Sequence, residues 1–588
     1  VRLTYDCEAD ALLDELTVIH SLCIQDIVSG KEYSFADQDG YRPIAEGLAM
    51  LENAQEIWAH NGICFDTRAL RKVYPTWWFK GRSMDTLVMS RLLFPDLWDK
   101  DMRSRKIGNK KLWGSHGLEA WGYRVNVQKG DFGKQNGWEH WSEEMQRYCE
   151  QDVRVLTALV KLFEGMGYAQ KAIDLEHEFQ EIIADMEING VPFDVPAAEK
   201  LAAEITIDVE KYRIEVAETT PPWEEIFMPK SNNKTRGYVK GEPFIKYKPF
   251  NVGSRQQIIK YFKEKYNWEP DEFTDKGNPK IGEDTLRALP YVEADLFANY
   301  FERAKVLAQL STGKQAWLKN VVNGRIHGRV NTVGARTRRC THSGPNLAQV
   351  PSPRAWRGDD CRRLFYAPEG WVFVGADMSG LELRMLAHYL HPYDGGEYAN
   401  QVLNGDIHTI NQEAAGLPTR DNAKTFIYGY LYGAGDEKIG EIVDPLANQT
   451  AKKARGKQLR SSFLRRLPAL KRLGDAVKVA HRQRKGVNAP DGGYILSISE
   501  HSALNTLLQG AGAVACKMWA IVTWEMIREQ GLEDKVQAVL NVHDEQQMLV
   551  KEGYEEQVGK IMEQATTKAG ERLGFKIRLD GEYKSGRN

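Results

Sequence analysis

Cysteine is scarce in this sequence, and neither sign of charge dominates it. Seven cysteines among 588 residues (Cys7, Cys23, Cys64, Cys149, Cys340, Cys361 and Cys516) stand far apart, with no C-x-x-C pair. That argues against a zinc cluster and a disulfide framework and favours a reducing compartment. Lysine and arginine number 79 against 81 aspartate and glutamate, a formal charge of −2. The strongly basic balance that usually marks a nucleic-acid binder is therefore missing. No apolar run approaches the roughly 20 residues needed to cross a bilayer, and no charged-then-apolar signal segment opens the chain. The start at Val1 suggests a trimmed beginning. Internal repeats and low-complexity tracts are also lacking. What is present is ordinary globular composition, 42% hydrophobic and 27% charged, which excludes wholesale disorder and collagen-like structure. The length suggests three or four domains.

Three textures follow one another. Residues 1–170 read as α/β: Leu3–Glu8 alternates, Val18–Ile27 and Glu32–Phe35 flank a Ser29-Gly30 turn, and helical stretches come after. Residues 171–335 read as mostly helical. One pattern from Ile173 to Ile188 stops at Asn189-Gly190, and another from Val195 ends before Pro221-Pro222. A capping box at Ser254–Gln257 opens a further helix, and between these helices Met228–Lys248 reads as a flexible basic excursion. Residues 336–588 are mixed. Trp371–Asp377 predicts a strand, Ser379-Gly380 a break, Leu381–Leu390 a helix, and Val536–Val550 two strands meeting at His543-Asp544-Glu545.

Asp6 and Glu8 are two apart on a predicted strand and so share a face. An isolated D-x-E is more often a solvated strand face. Here Asp66 follows His60-Asn61-Gly62 at a helix start, and Tyr148 and Asp152 sit at i, i+4 on another helix. Four carboxylates on three elements can hold two hard divalent cations, a set that suits phosphodiester hydrolysis, with Tyr148 orienting a water. In this order the D-x-E, N-x-x-x-x-D and Y-x-x-x-D segments resemble the three motifs of the DEDD 3′–5′ exonuclease superfamily, in its tyrosine-bearing branch.

Asp377 ends a strand and leads into Met-Ser-Gly-Leu-Glu-Leu-Arg-Met-Leu-Ala-His388, and Asp544 stands at a hairpin tip. Each alone could be a turn aspartate. Together they suit in-line attack of a 3′-hydroxyl on a triphosphate between two cations. Between them runs Arg420-Asp-Asn-Ala-Lys-Thr-Phe-Ile-Tyr-Gly-Tyr-Leu-Tyr-Gly433, in which Arg420, Lys424, Tyr428 and Tyr432 recur every four residues and form one helical stripe. Its cations suit phosphates, and its tyrosines offer a platform for a base and sugar. A solvated helix with an aromatic core edge does not explain why both share a stripe.

These segments resemble motifs A, B and C of family A DNA polymerases, and those of short-tailed lytic phages more than bacterial DNA polymerase I. Asn404-Gly-Asp-Ile-His-Thr409 and Ala503-Leu-Asn-Thr-Leu-Leu-Gln509 carry the same likeness, which covers essentially the whole chain. The resemblance implies an α/β and α+β multidomain fold. An RNase H-like exonuclease domain (1–170) is followed by a right hand: thumb and connecting helices (171–335), palm (336–384 and 501–588) and fingers (385–500). It implies a replicative, proofreading DNA-templated DNA polymerase using Mg2+, two ions at each site, for which Mn2+ can substitute. Asp377, the Met378 carbonyl and Asp544 would hold the polymerase metals, with Glu545 beside the primer end. Asp6, Glu8, Asp66 and Asp152 would hold those of the exonuclease. Glu382 would exclude a ribose 2′-hydroxyl, and His408, Arg420 and Lys424 would contact the triphosphate. Tyr428 would sit by the sugar, with good dideoxynucleotide incorporation as a consequence, and Tyr432 by the templating base. Arg339, Asn505, Gln509 and His543 would touch the primer–template. The implied partners are primer–template DNA and dNTPs, with room for a replicative helicase-primase and a single-strand-binding protein. The implied location is the cytoplasm of a bacterial host, away from any membrane.

Two segments depart from the family's pattern. Its usual T-G-R is here Thr337-Arg338-Arg339, so the turn must avoid any glycine-only conformation and an added cation is expected near the duplex. Asp491-Gly-Gly-Tyr494 replaces the usual D-G-R-x and removes an expected arginine. The excursion at 228–248 is short where phage relatives carry a thioredoxin-binding insertion, which speaks against a clamp of that type. Its Lys230, Lys234, Arg236, Lys240, Lys246 and Lys248 either grip DNA or are simply solvated.

Two rival readings are a single-subunit RNA polymerase-like enzyme and a catalytically silent DNA-binding scaffold. Glu382 and the exonuclease motifs argue against the first, and six acidic metal-site positions against the second. The charge balance is resolved by its distribution. Ala451–Leu473 carries Lys452, Lys453, Arg455, Lys457, Arg460, Arg465, Arg466, Lys471 and Arg472 and no acidic residue, and Arg336–Arg339 is basic as well. Duplex affinity should therefore fall at least about tenfold between ~50 and ~200 mM salt, because neutralised phosphates release counterions. A flat salt titration of duplex binding would contradict this.

Overall fold

Strand β1 (Arg2–Ala9) is covered on both faces, so its burial does not follow the alternation of its sequence. Leu3, Tyr5, Cys7 and Ala9 enter one apolar core, whereas Thr4, Asp6 and Glu8 lie on the other face. The computed structural model describes residues 1–128, 132, 137–270, 273–274 and 277–588. They form two units: Val1–Asn189 with Val330–His342 and Gly370–Gly586, and Gly190–Arg329 with Ser343–Glu369 and the last two residues.

In the first unit β1 pairs antiparallel with β2 (Ile19–Asp26) and parallel with β4 (Glu56–Ala59). With β3 (Glu32–Phe35) and β5 (Arg82–Asp85) the order is β3-β2-β1-β4-β5. Helix α1 (Asp66–Val73) follows β4, and α2 (Glu143–Glu164) is capped by Ser142 and packs on β1 and β2. The Thr4 and Thr157 hydroxyls, 2.6 Å apart, pin α2 to the face that carries Asp6 and Glu8. Helix α3 (Gln170–Asn189) ends at Gly190, as its pattern predicts.

A second sheet in the same unit is built on β6 (Trp371–Met378). β6 lies between β8 (Glu545–Lys551) and β9 (Gly581–Gly586), all antiparallel, and β7 (Val536–Val542) lies beyond β8. Helix α4 (Leu381–Asp394) leaves β6 through Gly380, which is left-handed at φ +58°. Helices α5 (Arg420–Leu431) and α6 (Gln449–Arg466) come next in the chain. Helix α7 (Ala503–Glu529) packs on α3 and on α8 (Glu555–Leu573), where Trp519 donates to the Met562 carbonyl at 2.8 Å. By length and composition α7 could cross a bilayer, which corrects the expectation that no apolar stretch reaches that length. In this fold 89% of its apolar window is buried.

In the second unit, helix Val195–Thr219 is capped by Asp194 and helix Arg255–Tyr266 by Ser254. Phe250, Ile258, Phe262 and Phe297 form an apolar core there. The expected flexible excursion is instead a folded hairpin, Trp223–Phe227 against Phe244–Lys248. The Tyr238 ring stands 5.0 Å from Phe227 and 4.7 Å from Phe244, so three aromatics give the segment its own small core.

Helix Asp436–Glu441 crosses α6 at two glycines. A Cβ on Gly456 would lie 1.7 Å from the Asp436 carbonyl oxygen, and one on Gly440 1.8 Å from that of Lys452. No side chain can yield there, since the obstacle is backbone. Gly456→Ala should therefore destabilise the protein by about 2–3 kcal/mol. A urea midpoint unchanged from the parent would contradict this close crossing.

Candidate active sites

The first carboxylate set gathers around β1. Ligand atoms of Asp6, Glu8 and Cys149 all lie within 4.8 Å of one another. Cys149 contributes no thiolate: burial pushes its pKa well up, and its Sγ donates to the Asp6 carbonyl at 3.3 Å. Asp66, 4% exposed, meets the strand at Cys7, between the two acids, where its Oδ1 accepts from the Cys7 N–H at 3.3 Å. Burial pushes the Asp66 carboxyl up to about 6, against the lowering effect of the Cys7 hydrogen bonds. Asp152 is 3% exposed on α2, one turn beyond Tyr148. The Tyr148 ring packs against Phe132 (5.9 Å) and Trp138 (6.1 Å). An oxygen-rich set on a strand and two helices fits hard divalent cations.

Asp85, absent from the sequence reading, holds this set together. Its carboxylate accepts from the backbone N–H groups of Asn61, Ile63 and Leu87 at 2.9, 3.2 and 2.8 Å, fixing the loop that leads into Asp66. His177 of α3 accepts the Asp85 N–H at 2.9 Å. The sequence signal was its place as N-cap of helix Thr86–Leu93.

The second set stands at one end of the other sheet. Asp377 is the register partner of Glu545, and the Met378 N–H donates to the Asp544 carbonyl at 3.0 Å, so strand end and hairpin tip are tied together. His543 turns that tip in a left-handed conformation, φ +56°. Its ring stands 6.3 Å from that of His342, which bonds the Asn541 carbonyl. Burial pushes the Asp544 carboxyl up, and the charges of Glu382 and Asp377 add to this. These oxygens also suit hard cations.

A cavity of about 240 Å³ opens here, bordered by Arg339, Glu382, Tyr432, Lys517, His543 and Asp544. Glu382 accepts the Tyr432 hydroxyl at 2.8 Å, and the Arg339 guanidinium lies 3.6 Å away. Burial, then Glu382, pushes the Tyr432 hydroxyl up to about 12. The Tyr432 ring stacks on Tyr428 at 6.4 Å and 23°, and the His408 ring stands 6.4 Å from Tyr428. Arg420 pairs with Asp406 at 2.8 Å, and Asp406 caps the helix carrying His408. Lys424, one turn after Arg420, is exposed. Burial lowers the His408 pKa, with Arg420 adding to the effect. Buried His408 Nδ1 and Asn505 Oδ1 have no hydrogen-bond partner among the described residues. Gln509 follows Asn505 one turn along α7.

The DNA polymerase family A model matches residues 239–588. Across its full length the chain is 36% identical to the DNA-directed DNA polymerase of Enterobacteria phage T3, covering 99% of that protein. It is also 36% identical to the enzyme of Escherichia phage T7, with 99% of each chain covered. The chain belongs to DNA polymerase family A. A DNA polymerase I from Chloroflexus aurantiacus is 28% identical over 53% of the chain and 34% of its own length. Among solved structures, the POL domain of Pol1 from M. smegmatis, in complex with DNA primer-template and dNTP, superposes with a TM-score of 0.74 at 18% identity. That match covers 100% of this chain and 95% of the other. Polymerases of this family generally use divalent metals.

One expectation about the polymerase's basic runs needs correction. Arg338 is 2% exposed and faces inward, so it adds no cation beside a duplex. Its backbone keeps φ +64°, a left-handed conformation open to arginine at about 1–2 kcal/mol. Arg336 pairs with Asp99 at 3.2 Å, which leaves Arg339 as the member of the run that borders the cavity. In the 451–473 tract Lys452 pairs with Glu441 and Arg460 with Asp436, while Lys453, Lys457, Arg465, Arg466, Lys471 and Arg472 remain exposed.

A cation held by Asp66 would have to displace its proton, so metal affinity at the β1 set would then depend on pH. It should be full above the Asp66 value of about 6 and fall roughly tenfold per unit below it. Mn2+ binding followed by electron paramagnetic resonance in an Asp377→Ala, Asp544→Ala background checks this. Equal affinity at about pH 5 and about pH 7.5 would be inconsistent with Asp66 as a ligand.

Proposed function

We propose that this family A DNA polymerase adds dNTPs to a primer 3′-hydroxyl at Asp377 and Asp544 and removes mispaired 3′ ends at the Asp6–Glu8–Asp66–Asp152 set. The observation that carries the first half is the Met378–Asp544 backbone hydrogen bond, which ties the strand end that carries Asp377 to Asp544, itself at the rim of the cavity that Tyr432 borders. In this reading Asp377, Asp544 and the Met378 carbonyl hold Mg2+ or Mn2+, with Glu545 beside the primer end. Bound there, the ions supply Lewis-acid stabilisation of the charge on the reacting phosphate.

The side chains then divide the work. Arg420, Lys424 and His408 receive the triphosphate. Tyr428 and Tyr432 flank sugar and template base. Glu382, fixed by Tyr432 and Arg339, fills the space a ribose 2′-hydroxyl would need and so rejects ribonucleotides by exclusion. Arg339, Asn505, Gln509 and His543 meet the primer–template. The layout proposed is an exonuclease domain over residues 1–170, thumb and connecting helices over 171–335, palm over 336–384 and 501–588, and fingers over 385–500. That the M. smegmatis neighbour was solved with primer-template and dNTP supports the same partners here.

Proofreading follows from competition. A mispaired terminus frays more readily, and unpaired strand is what the β1 set, with Tyr148 orienting a water, would accept. The polymerase site rewards a stacked pair.

Asp377→Ala or Asp544→Ala should remove primer extension by at least about 10³-fold while sparing 3′-end degradation, and Asp6→Ala with Glu8→Ala should do the reverse. Both activities are read on one labelled primer–template. Loss of both from one substitution, in a protein that still unfolds cooperatively, would defeat the two-site reading.

A further inference from the structure

Four charged side chains from four separate segments meet in the interior of the first unit. Arg338, Glu176, Asp491 and Lys517 are 2%, 0%, 4% and 2% exposed. Arg338 donates through Nε and Nη2 to Glu176 Oε1 at 2.9 and 2.7 Å, and through Nη1 and Nη2 to Asp491 Oδ1 and Oδ2 at 3.0 and 2.7 Å. Lys517 donates to both Glu176 oxygens at 2.8 and 2.7 Å, and the Gly493 N–H reaches Asp491 Oδ1 at 3.0 Å. The charges cancel, and each nitrogen of the guanidinium is engaged, the condition under which a buried ionic cluster is tolerable.

Space at this cluster is tight on one side. A Cβ on Gly493 would lie 2.4 Å from Arg338 Nη1, 2.9 Å from the Ala172 Cβ and 3.1 Å from Asp491 Oδ1. The two departures from the family's pattern, arginine at 338 and glycine at 493, are thus in contact with each other. On the other side, Arg338 lies in a tight turn in which Ala335 and Arg339 are backbone-bonded (3.0 Å) and Arg338 N–H reaches the Ala335 carbonyl (2.8 Å). With residue 338 anchored inward, residue 339 points to Glu382. Lys517 and Arg339 both border the cavity that holds Asp544.

We propose that Arg338 and Gly493 are one matched pair, the guanidinium occupying the room that a side chain at 493 would take, and that the cluster they complete positions Arg339 for the primer–template. Arg338 is on this view a positioning residue that touches no substrate. Burial alone would disfavour its charge, but Glu176 and Asp491 hold it protonated above the ordinary arginine value. The second clause rests on the polymerase reading above, and the first does not.

The test is a double-mutant cycle on the full chain. Gly493→Ala should lower the apparent melting temperature by about 1–3 °C in the parent, and by less than half as much in an Arg338→Gly background. Equal losses in both would overturn the pairing, whatever the activity of the protein. In steady-state primer extension, Arg338→Gly should raise the KM for primer–template about tenfold, equivalent to ~1.4 kcal/mol, with kcat within about twofold of the parent. Arg338→Lys keeps the charge and the fold but loses the two-carboxylate fork, and should give an intermediate rise. An unchanged KM in either variant, or a fall in kcat that tracks the melting temperature, would overturn the positioning role. Absence of extension by the parent protein would count against the function reading and leave the stability cycle to judge the pair.

Discussion

Everything at the proposed polymerase site depends on forcing like charges together. Asp377, Asp544, Glu545 and Glu382 would drift apart on a flexible scaffold, because carboxylates held near one another repel. Backbone geometry overrides that repulsion here. The register that sets Asp377 opposite Glu545 is one of seven consecutive β6–β8 pairings, and a slip of one residue would turn Asp377 to the opposite face. The Met378–Asp544 hydrogen bond then closes the tip onto the strand end. Burial, with a smaller contribution from the charges of Glu382 and Asp377, raises the Asp544 pKa, and a bound cation would relieve that electrostatic stress.

The β1 set solves the same problem by other means. Asp6 and Glu8 share a strand face by period alone, but Asp66 arrives from a loop, and a loop needs its own restraint. Asp85 supplies it by taking three backbone N–H groups, and the buried His177 takes the Asp85 N–H in turn. His177 belongs to α3, whose continuation carries Glu176 into contact with Arg338 and Lys517. One helix therefore touches the supports of both carboxylate sets through adjacent residues.

The sequence was most legible where one local rule acted alone. The β6 strand, the glycine break before α4, the β7–β8 hairpin and the C-terminal end of α3 could all be read from period and turn chemistry, because each is decided within a few residues. Legibility failed where the decision was long-range. The 228–248 segment looks like a loop by composition, yet three aromatics spread over eighteen residues fold it into a hairpin. Asp85 looks like an N-cap, and its other two hydrogen bonds come from residues more than twenty positions away. The basic run at 336–339 could be counted but not divided into one buried, one paired and one cavity-facing arginine.

Arg338 carries that last point further. An arginine in a left-handed turn is locally the wrong residue, since glycine would take the same backbone without strain. A local conflict of this kind persists when something elsewhere over-determines it. Here that something is a pair of buried carboxylates from segments more than 150 residues away on either side. Removing the arginine would leave Asp491 with one backbone donor and Glu176 with Lys517 alone among the contacts described here. The turn's strain and the glycine at 493 are then two consequences of one requirement, a guanidinium at the point where α3, the 491–493 turn and α7 converge.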